Sequence, residues 1–159
     1  MASGLQFIVL LCLLGGLWTA ADAGICRPTC PSGWSRFGRR CFLFYNARVE
    51  WAAAERYCTY HRANLASVHS RNEYAFLRRL VYYRTRSNTP FWVGGTDSQR
   101  NGLWLWSDGS RFTKFRLWSR GEPNNSGGRE GCMMMNFRGR LVNDMNCRTK
   151  VAFVCARRA

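Results

Sequence analysis

The sequence predicts one α+β domain, with two amphipathic helices in its first half and a small antiparallel sheet in its second half. Two observations lead to this class. Apolar residues recur at helical spacing twice between residues 49 and 81, and short apolar runs separated by turn residues follow from residue 91. A chain of this length, without repeats or a Pro/Gly/Ser-rich linker, is expected to bury a single core.

The first residues predict a secretory signal peptide. Residues 5–21 form an apolar run broken mainly by Gln6 and Thr19, and the run ends in Ala21-Asp22-Ala23, a typical cleavage site. The alternative is an uncleaved membrane anchor, which needs about 20 apolar residues and basic flanks. Neither is present. We therefore expect a signal peptide at residues 1–23, a short tail at 24–29 and one domain at 30–159, in a secreted, extracellular protein.

The two helices are indicated by spacing and by one start signal. Residues 49–60 are rich in Ala and place Trp51, Ala54 and Cys58 at helical intervals. Ser70 followed three residues later by Glu73 resembles a capping box that opens a second helix. The apolar face of that helix comprises Tyr74, Leu77, Leu80 and Val81, and Asn88-Thr89-Pro90 is expected to end it.

Strands are expected before and after these helices. Residues 34–45 form a strand pair around Gly38. Further short strands are predicted at residues 103–106, 132–136, 141–142 and 151–155, with a polar loop at 120–129. We expect core positions for three tryptophans and three consecutive methionines: Trp92, Trp104, Trp106 and Met133–Met135.

The cysteines favour an oxidising compartment. Cys12 lies in the expected leader, which leaves seven cysteines, at positions 26, 30, 41, 58, 132, 147 and 155. Spacing alone does not pair them. Zinc is a poor alternative, because the close pair Cys26 and Cys30 has no matching second pair of Cys or His.

Five oxygen-bearing side chains in the last third of the chain form a candidate cation site: Glu122, Asn124, Glu130, Asn143 and Asp144. Carboxylates and amide carbonyls are the hard ligands that Ca²⁺ prefers. The chain has 24 Lys and Arg but only 9 Asp and Glu, and three of those acids fall in this group. Such concentration of scarce acids indicates a site for a cation.

Several motifs, taken in order, resemble the C-type lectin domain family, particularly its secreted single-domain members such as those of fish. They are Cys30-Pro31-Ser32-Gly33-Trp34, Cys41-Phe42, the stretch from Ala63 to Ser70, Trp92-Val93-Gly94-Gly95, Glu122-Pro123-Asn124, Glu130 two residues before Cys132, and Asn143-Asp144 before Cys147. The resemblance covers residues 30–155. It implies a C-type lectin-like fold with two helices, small antiparallel sheets and a long calcium-binding loop region.

The resemblance also implies a ligand set and a disulfide pattern. The five candidate residues would bind both Ca²⁺ and sugar, with Glu-Pro-Asn favouring mannose, fucose or N-acetylglucosamine over galactose. The implied disulfides are Cys30–Cys41, Cys58–Cys155 and Cys132–Cys147. Cys26 is left over, and an unpaired cysteine in a secreted protein favours a disulfide-linked homodimer or a capped thiol.

Three departures from the family pattern carry expectations of their own. A second calcium site matches at Asp97, Asn125 and Glu130, but Asn101 and Gly131 stand where acids are usual, so that site is expected to be weak or empty. Val142 stands where the family has Trp, which predicts looser packing beneath Asn143. Asn124 begins a glycosylation sequon, and we expect it to be unmodified because its amide is needed for calcium.

The charge leaves a second class of function open. The formal net charge is +15, and every basic residue except Lys114 and Lys150 is Arg. A cationic antimicrobial protein that binds anionic microbial surfaces or sulfated glycans is therefore the alternative to a sugar-binding lectin active in innate defence. An ice-binding protein of the type II antifreeze kind ranks lower. Nucleic acid is not expected as a partner, and no nucleophile with a base partner indicates an enzyme.

Overall fold

The computed structural model describes residues 29–113 and 117–159 of the chain. The expected signal peptide and Cys26 lie outside the described residues. The elements in chain order are β1 (Ser35–Phe37), β2 (Arg40–Val49), α1 (Trp51–Tyr60), β3 (Asn64–Leu65), α2 (Arg71–Thr85), β4 (Phe91–Thr96), β5 (Leu105–Trp106), β6 (Glu130–Phe137), β7 (Leu141–Asn146) and β8 (Val151–Arg158). The α+β class is confirmed.

The first helix begins two residues later than predicted. Val49 is the last residue of β2, where it pairs with Val151 of β8, and Glu50 stays extended at the N-cap of α1. A β-branched residue fits a half-buried strand better than a helix. The strand pairing with the end of the chain, which is not visible locally, therefore moved this boundary.

Helix α2 begins at the predicted cap. The Ser70 hydroxyl accepts the backbone N–H of Glu73 at 3.0 Å, which satisfies one of the free donors of the first turn. The Glu73 carboxylate does not return to Ser70; it accepts from the backbone N–H of His69 at 2.8 Å and from Arg40 at 2.7 Å. The capping box is thus half formed, and the second half joins the helix to β2.

One sheet runs through the domain in the order β1-β2-β8-β4-β6-β7, with β3 on β8 and β5 on β4. All pairs are antiparallel except β4 and β8, which run parallel. The sheet is therefore mainly antiparallel, as expected, and includes one parallel pair that was not predicted. The last strand, β8, lies between the N-terminal hairpin and the strands that carry the candidate site.

The core lies on both faces of this sheet. Alternate residues of β4 divide between two clusters: Phe91 and Val93 pack with Leu77 of α2, and Trp92 packs with Ala54 of α1. This period of two is expected for a strand covered on both sides. The predicted core positions of Trp92, Trp104, Trp106 and the three methionines are confirmed, since each is at most 8% exposed.

Three disulfides tie the domain together in the pairs that the family resemblance implied. Cys30–Cys41 closes the N-terminal hairpin, Cys58–Cys155 joins α1 to β8, and Cys132–Cys147 joins β6 to the segment after β7. Within the ranges that the structure describes, no helix has the length and apolar character needed to span a bilayer.

Candidate functional site

The five candidate ligands come from one loop and two strands. Glu122 and Asn124 lie in the loop between β5 and β6, Glu130 opens β6, and Asn143 and Asp144 lie in the middle of β7. Strands β6 and β7 pair antiparallel, with a bulge between Glu130 and Cys132. These positions bring residues more than twenty apart in sequence to one end of the sheet.

The loop is held against β7 by a backbone bridge that the sequence did not reveal. Trp118 forms a parallel bridge with Val142, and the Ser119 N–H donates to the Val142 carbonyl at 2.8 Å. Three residues on, the Glu122 N–H donates to Ser119 at 3.0 Å, and a cis peptide joins Glu122 to Pro123. This bridge therefore places Glu122 beside the Asn143-Asp144 pair.

Val142 itself is fully buried in the main core cluster, with Trp118 packed against that cluster. Trp118 also packs on Trp104, with ring centroids 4.8 Å apart. Tryptophans from other segments thus pack into the cluster that contains Val142, and the looser packing beneath Asn143 stays a prediction.

Asp144 organises the loop. Its carboxylate is 1% exposed and accepts the backbone N–H of Asn124 at 3.1 Å and that of Asn125 at 2.7 Å. A carboxylate has about four lone-pair sites, so both oxygens keep acceptor capacity after these bonds. Asp144 thus fixes the chain that carries Asn124 and can still bind a further donor or cation.

Two buried oxygens beside Asp144 have no hydrogen-bond donor among the described residues. They are Glu122 Oε2 and Asn143 Oδ1. The Asn143 amide N–H₂ donates to the Asp144 carbonyl, which leaves its oxygen as a free acceptor. Buried acceptors without a partner are rare in folded proteins, and each needs a specific explanation. A bound cation is one that satisfies both atoms.

The charges of the site also favour a bound cation. Burial raises the pKa of the Glu122 carboxyl above its ordinary value, and a hydrogen bond with Asp144 and the charges of Asp144 and Glu130 raise it further. The three acids are therefore close enough to repel one another. Within the described ranges, no three His, Cys, Asp or Glu side chains form a ready-made metal group. Calcium would need the mixed set of carboxylates and amides.

Glu130 and Asn124 complete the set with different degrees of constraint. The Glu130 carboxylate accepts the Ser126 N–H at 3.1 Å, and its own N–H donates to Asn125 Oδ1 at 3.0 Å. Asn124 is exposed, and its side chain makes no hydrogen bond with the described part of the chain. Its amide is therefore free to meet a ligand from solvent.

The neighbouring set expected to be a degraded second site is held together by its own polar groups. Asn125 Nδ2 donates to Asn101 Oδ1 at 2.9 Å, and Asp97 Oδ2 accepts the Gly102 N–H at 2.7 Å. A Cβ at Gly131 would lie 2.5 Å from the Ser98 hydroxyl and 3.2 Å from its Cα. An acid at position 131 would therefore require the Ser98 loop to move.

A Ser-His-Asp grouping that the sequence did not suggest lies at another end of the domain. Ser67 Oγ donates to Asp108, lies 2.9 Å from His69 Nε2, and accepts from Arg40 at 2.8 Å. Ser67 is fully buried. A nucleophile must reach its substrate, so this grouping stabilises the fold and is not a catalytic triad.

Comparison with known proteins identifies the family. Residues 47–157 match the model of the Lectin C-type domain. Ladderlectin of Oncorhynchus mykiss is 49% identical over 122 residues, a match that spans 76% of this chain and 64% of ladderlectin, which is less than two thirds of that relative's length. The galactose-specific lectin nattectin of Thalassophryne nattereri is 37% identical over 154 residues, 95% of this chain and 93% of nattectin.

Among solved structures, the herring type II antifreeze protein superposes with a TM-score of 0.74 at 35% identity, covering 82% of this chain and 99% of that protein. These relatives are named as lectins and an antifreeze protein, in agreement with a binding protein that is not an enzyme. Family model, identity and fold agree over most of the chain. The chain therefore belongs to the C-type lectin domain family.

Proposed function

We propose that this protein is a secreted, calcium-dependent lectin that binds mannose, fucose or N-acetylglucosamine type sugars through Glu122, Asn124, Glu130, Asn143 and Asp144. The observation that carries the proposal is the pair of buried acceptors without donors, Glu122 Oε2 and Asn143 Oδ1, beside the Asp144 carboxylate. Their chemistry matches Ca²⁺, which takes six to eight oxygen ligands at about 2.3–2.6 Å.

The side chains of the site suit a sugar diol as well as a cation. Calcium held by these residues would supply coordination to two neighbouring hydroxyl oxygens. The Glu122 carboxylate can accept a hydroxyl hydrogen, and the Asn124 amide, exposed and without a partner in the described chain, can donate to a hydroxyl oxygen. The two sugar hydroxyls would then have both metal coordination and hydrogen-bond partners.

The order of acceptor and donor supports the mannose class. Glu122 before Pro123 and Asn124 after it is the arrangement expected for mannose-type diols, whereas Gln before and Asp after is expected for galactose. The relative nattectin is named galactose-specific, which makes specificity the most informative property to test. In this chain, Glu122 and Asn124 are the residues that favour mannose.

Affinity chromatography tests the proposal. In calcium, mannose-agarose should retain the protein and a chelator should release it. The double variant Glu122→Gln with Asn124→Asp should weaken mannose retention and shift preference toward galactose. Glu50→Gln with Asn72→Asp makes the same chemical changes at exposed residues outside the site and should behave as wild type. Wild-type retention on galactose but not on mannose would overturn the sugar assignment.

Secretion and a role in defence are parts of the same proposal. Three disulfides require an oxidising compartment, as the leader sequence also predicts. A secreted lectin that recognises microbial glycans would coat or agglutinate cells, and agglutination needs more than one site per particle. Calcium-dependent agglutination of mannan-bearing yeast, inhibited by free mannose, is the expected result.

Ice binding is a second candidate, favoured by the similarity to the herring type II antifreeze protein. The densely charged surface opposes it, since the formal net charge is +15. Freezing hysteresis measured with calcium and with chelator distinguishes the two functions. A hysteresis comparable to that of an antifreeze protein, with no sugar retention, would replace the lectin proposal.

A further inference from the structure

A basic cleft lies away from the candidate sugar site. It has a volume of about 760 Å³ and contains none of the five candidate ligands. Five arginines line it together with one acidic side chain, Asp108; they are Arg39, Arg40, Arg62, Arg157 and Arg158. The remaining lining includes the polar side chains of Asn64, His69 and Ser110.

The sheet topology brings these arginines together. The end of β8 is flanked by the start of β2 on one side and by β3 on the other: Arg40 pairs with Arg158, and Asn64 pairs with Ala156. Arg39 lies in the turn before β2, and its carbonyl accepts the N–H of Ala159 at 3.0 Å. Charges that are up to 119 positions apart in sequence, from Arg39 to Arg158, thus meet at one end of the sheet.

Among the residues that the structure describes, one of the five arginines has an acidic partner. Arg40 forms an ion pair with Glu73 at 2.7 Å and lies 3.8 Å from Asp108. The Asp108 carboxylate also accepts hydrogen bonds from Ser67 and Ser110, so the charge of this side chain is already engaged. The other four arginines make no ion pair with the described residues. Their charges remain available to a ligand.

Two features of the cleft, one involving a pair of arginines and one a single arginine, oppose the stability of the fold. Arg40 and Arg158 are directly opposite on antiparallel strands, and like charges there are destabilising. Arg62 follows the end of α1 with φ of 54°, a conformation in which Gly is usual. Arg40 is compensated by its ion pair with Glu73, but Arg62 makes no ion pair with the described residues. A residue that breaks a local rule without such a gain is expected at a functional site.

We propose that this cleft binds the sulfate groups of an anionic polysaccharide and does so without calcium. The guanidinium group presents a fixed fork of N–H donors that matches a sulfate oxyanion and keeps its charge at all physiological pH values. The volume falls within the roughly 300–1,000 Å³ of ordinary ligand sites, so the cleft can hold more than one anionic group. Arg157, fixed over the Trp34 ring at 5.9 Å, supplies a positioned donor.

The lining favours a sulfated saccharide over a membrane surface or a nucleic acid. Docking on a bilayer uses apolar side chains that insert beside the basic residues. The exposed large apolar residues of the described chain are Tyr45, Tyr60, Tyr82, Tyr83, Leu103 and Leu105, and none of them lines the cleft. Single-stranded nucleic acid is held by aromatic stacking, and the only ring in the lining is that of His69.

Calorimetry with a heparin-derived hexasaccharide in excess chelator tests the proposal. The variant Arg39→Gln, Arg62→Gln, Arg158→Gln removes three exposed cleft charges. The control Arg48→Gln, Arg56→Gln, Arg79→Gln removes three exposed charges elsewhere, at the same net charge. The cleft variant should bind about tenfold or more weakly, since charge-assisted contacts are lost, and the control should stay within about twofold of wild type. An equal loss in both variants would show that net charge alone is responsible and overturn the site.

Arg62→Gly separates binding from folding. Gly accepts the positive φ at this position, so the thermal stability of this variant should equal or exceed that of wild type while hexasaccharide affinity falls. Unchanged affinity would remove Arg62 from the site and contradict the proposal. Phosphatidylserine vesicles form the second arm: if the cleft variant loses vesicle binding but keeps hexasaccharide affinity, the cleft serves a membrane surface and the polysaccharide is excluded.

Discussion

Replacing Asp144 with Ala should destabilise the calcium-free protein more than replacing Asn143 does, whereas either replacement should remove most of the stabilisation by calcium, because the two side chains have different partners in the cation-free fold. Asp144 bonds two loop N–H groups, whereas the Asn143 oxygen has no donor among the described residues. Replacing Asp144 therefore removes the two hydrogen bonds that hold the loop, whereas replacing Asn143 mainly removes an oxygen atom that is proposed to bind calcium.

The magnitudes follow from the bonds lost. A hydrogen bond to a charged acceptor contributes roughly 1.5–3 kcal/mol, and Asp144 accepts two. We use the lower end of this range, because removing Asp144 also relieves its repulsion of the Glu122 carboxylate. Asp144→Ala should thus cost about 3 kcal/mol in chelator, or about 6–12 °C in melting temperature. Asn143→Ala loses one hydrogen bond donated by the side-chain amide, which is worth about 1 kcal/mol, or about 2–4 °C in melting temperature.

Calcium should then separate wild type from both variants. At a calcium concentration of about 100 times the dissociation constant, wild type gains about 2.7 kcal/mol, or roughly 5–10 °C. Both variants should lose most of this gain, because each lacks a ligand oxygen. Differential scanning fluorimetry in chelator and in calcium measures the destabilisation of both variants and the calcium shift of all three proteins, with the exposed Asn72→Ala as a control that keeps the full calcium shift.

Two results would refute the reasoning. If Asn143→Ala is as destabilised as Asp144→Ala in chelator, the Asn143 oxygen is not an idle acceptor. If Asn143→Ala keeps the wild-type calcium shift, calcium binds elsewhere and the site loses its main support.

Three further outcomes are expected. Burial opposes the ionisation of Asp108, but hydrogen bonds from Ser110 and Ser67 and the charge of Arg40 outweigh burial and hold the pKa of Asp108 below its ordinary value. The ionised Asp108 therefore stabilises the fold above about pH 4, and this stabilisation is lost as acid protonates the carboxylate in the folded state. Ser67→Ala should therefore lower stability near neutral pH and shrink the acid-dependent loss in urea unfolding; an unchanged pH profile would count against this assignment. Gly94→Ala places a Cβ 2.6 Å from the Leu65 carbonyl oxygen and should destabilise the domain by about 1–3 kcal/mol, whereas Gly102→Ala, which meets no atom within 4 Å, should cost only the strain of its positive φ. Cys26 should link two chains, so non-reducing electrophoresis of the native protein should show a dimer band that reductant removes; a monomer band with a capped Cys26 thiol in mass spectrometry would contradict this.

Local signals in the sequence were sufficient for much of the fold. The Ser70 cap acts within one turn, and the core face of α2 follows from apolar spacing, so both could be predicted without knowledge of distant contacts. The start of α1 could not, because Val49 is held in β2 by Val151 of the last strand. The parallel pairing of β4 with β8 was missed for the same reason: pairing direction depends on topology, which spacing does not encode.

The sequence by itself determined which chemical groups this protein has: five candidate oxygen ligands among few acids, seven cysteines after the expected leader, and a surplus of arginine. These properties depend only on which residue types are present, so they do not depend on how the chain folds. Only the tertiary structure decided that Asp144 supports the loop that carries Asn124, and that arginines from the two ends of the domain share one cleft. The physical reason is that hydrogen bonds and charge interactions act over a few ångströms in space, and the sheet order brings together groups that are far apart along the chain.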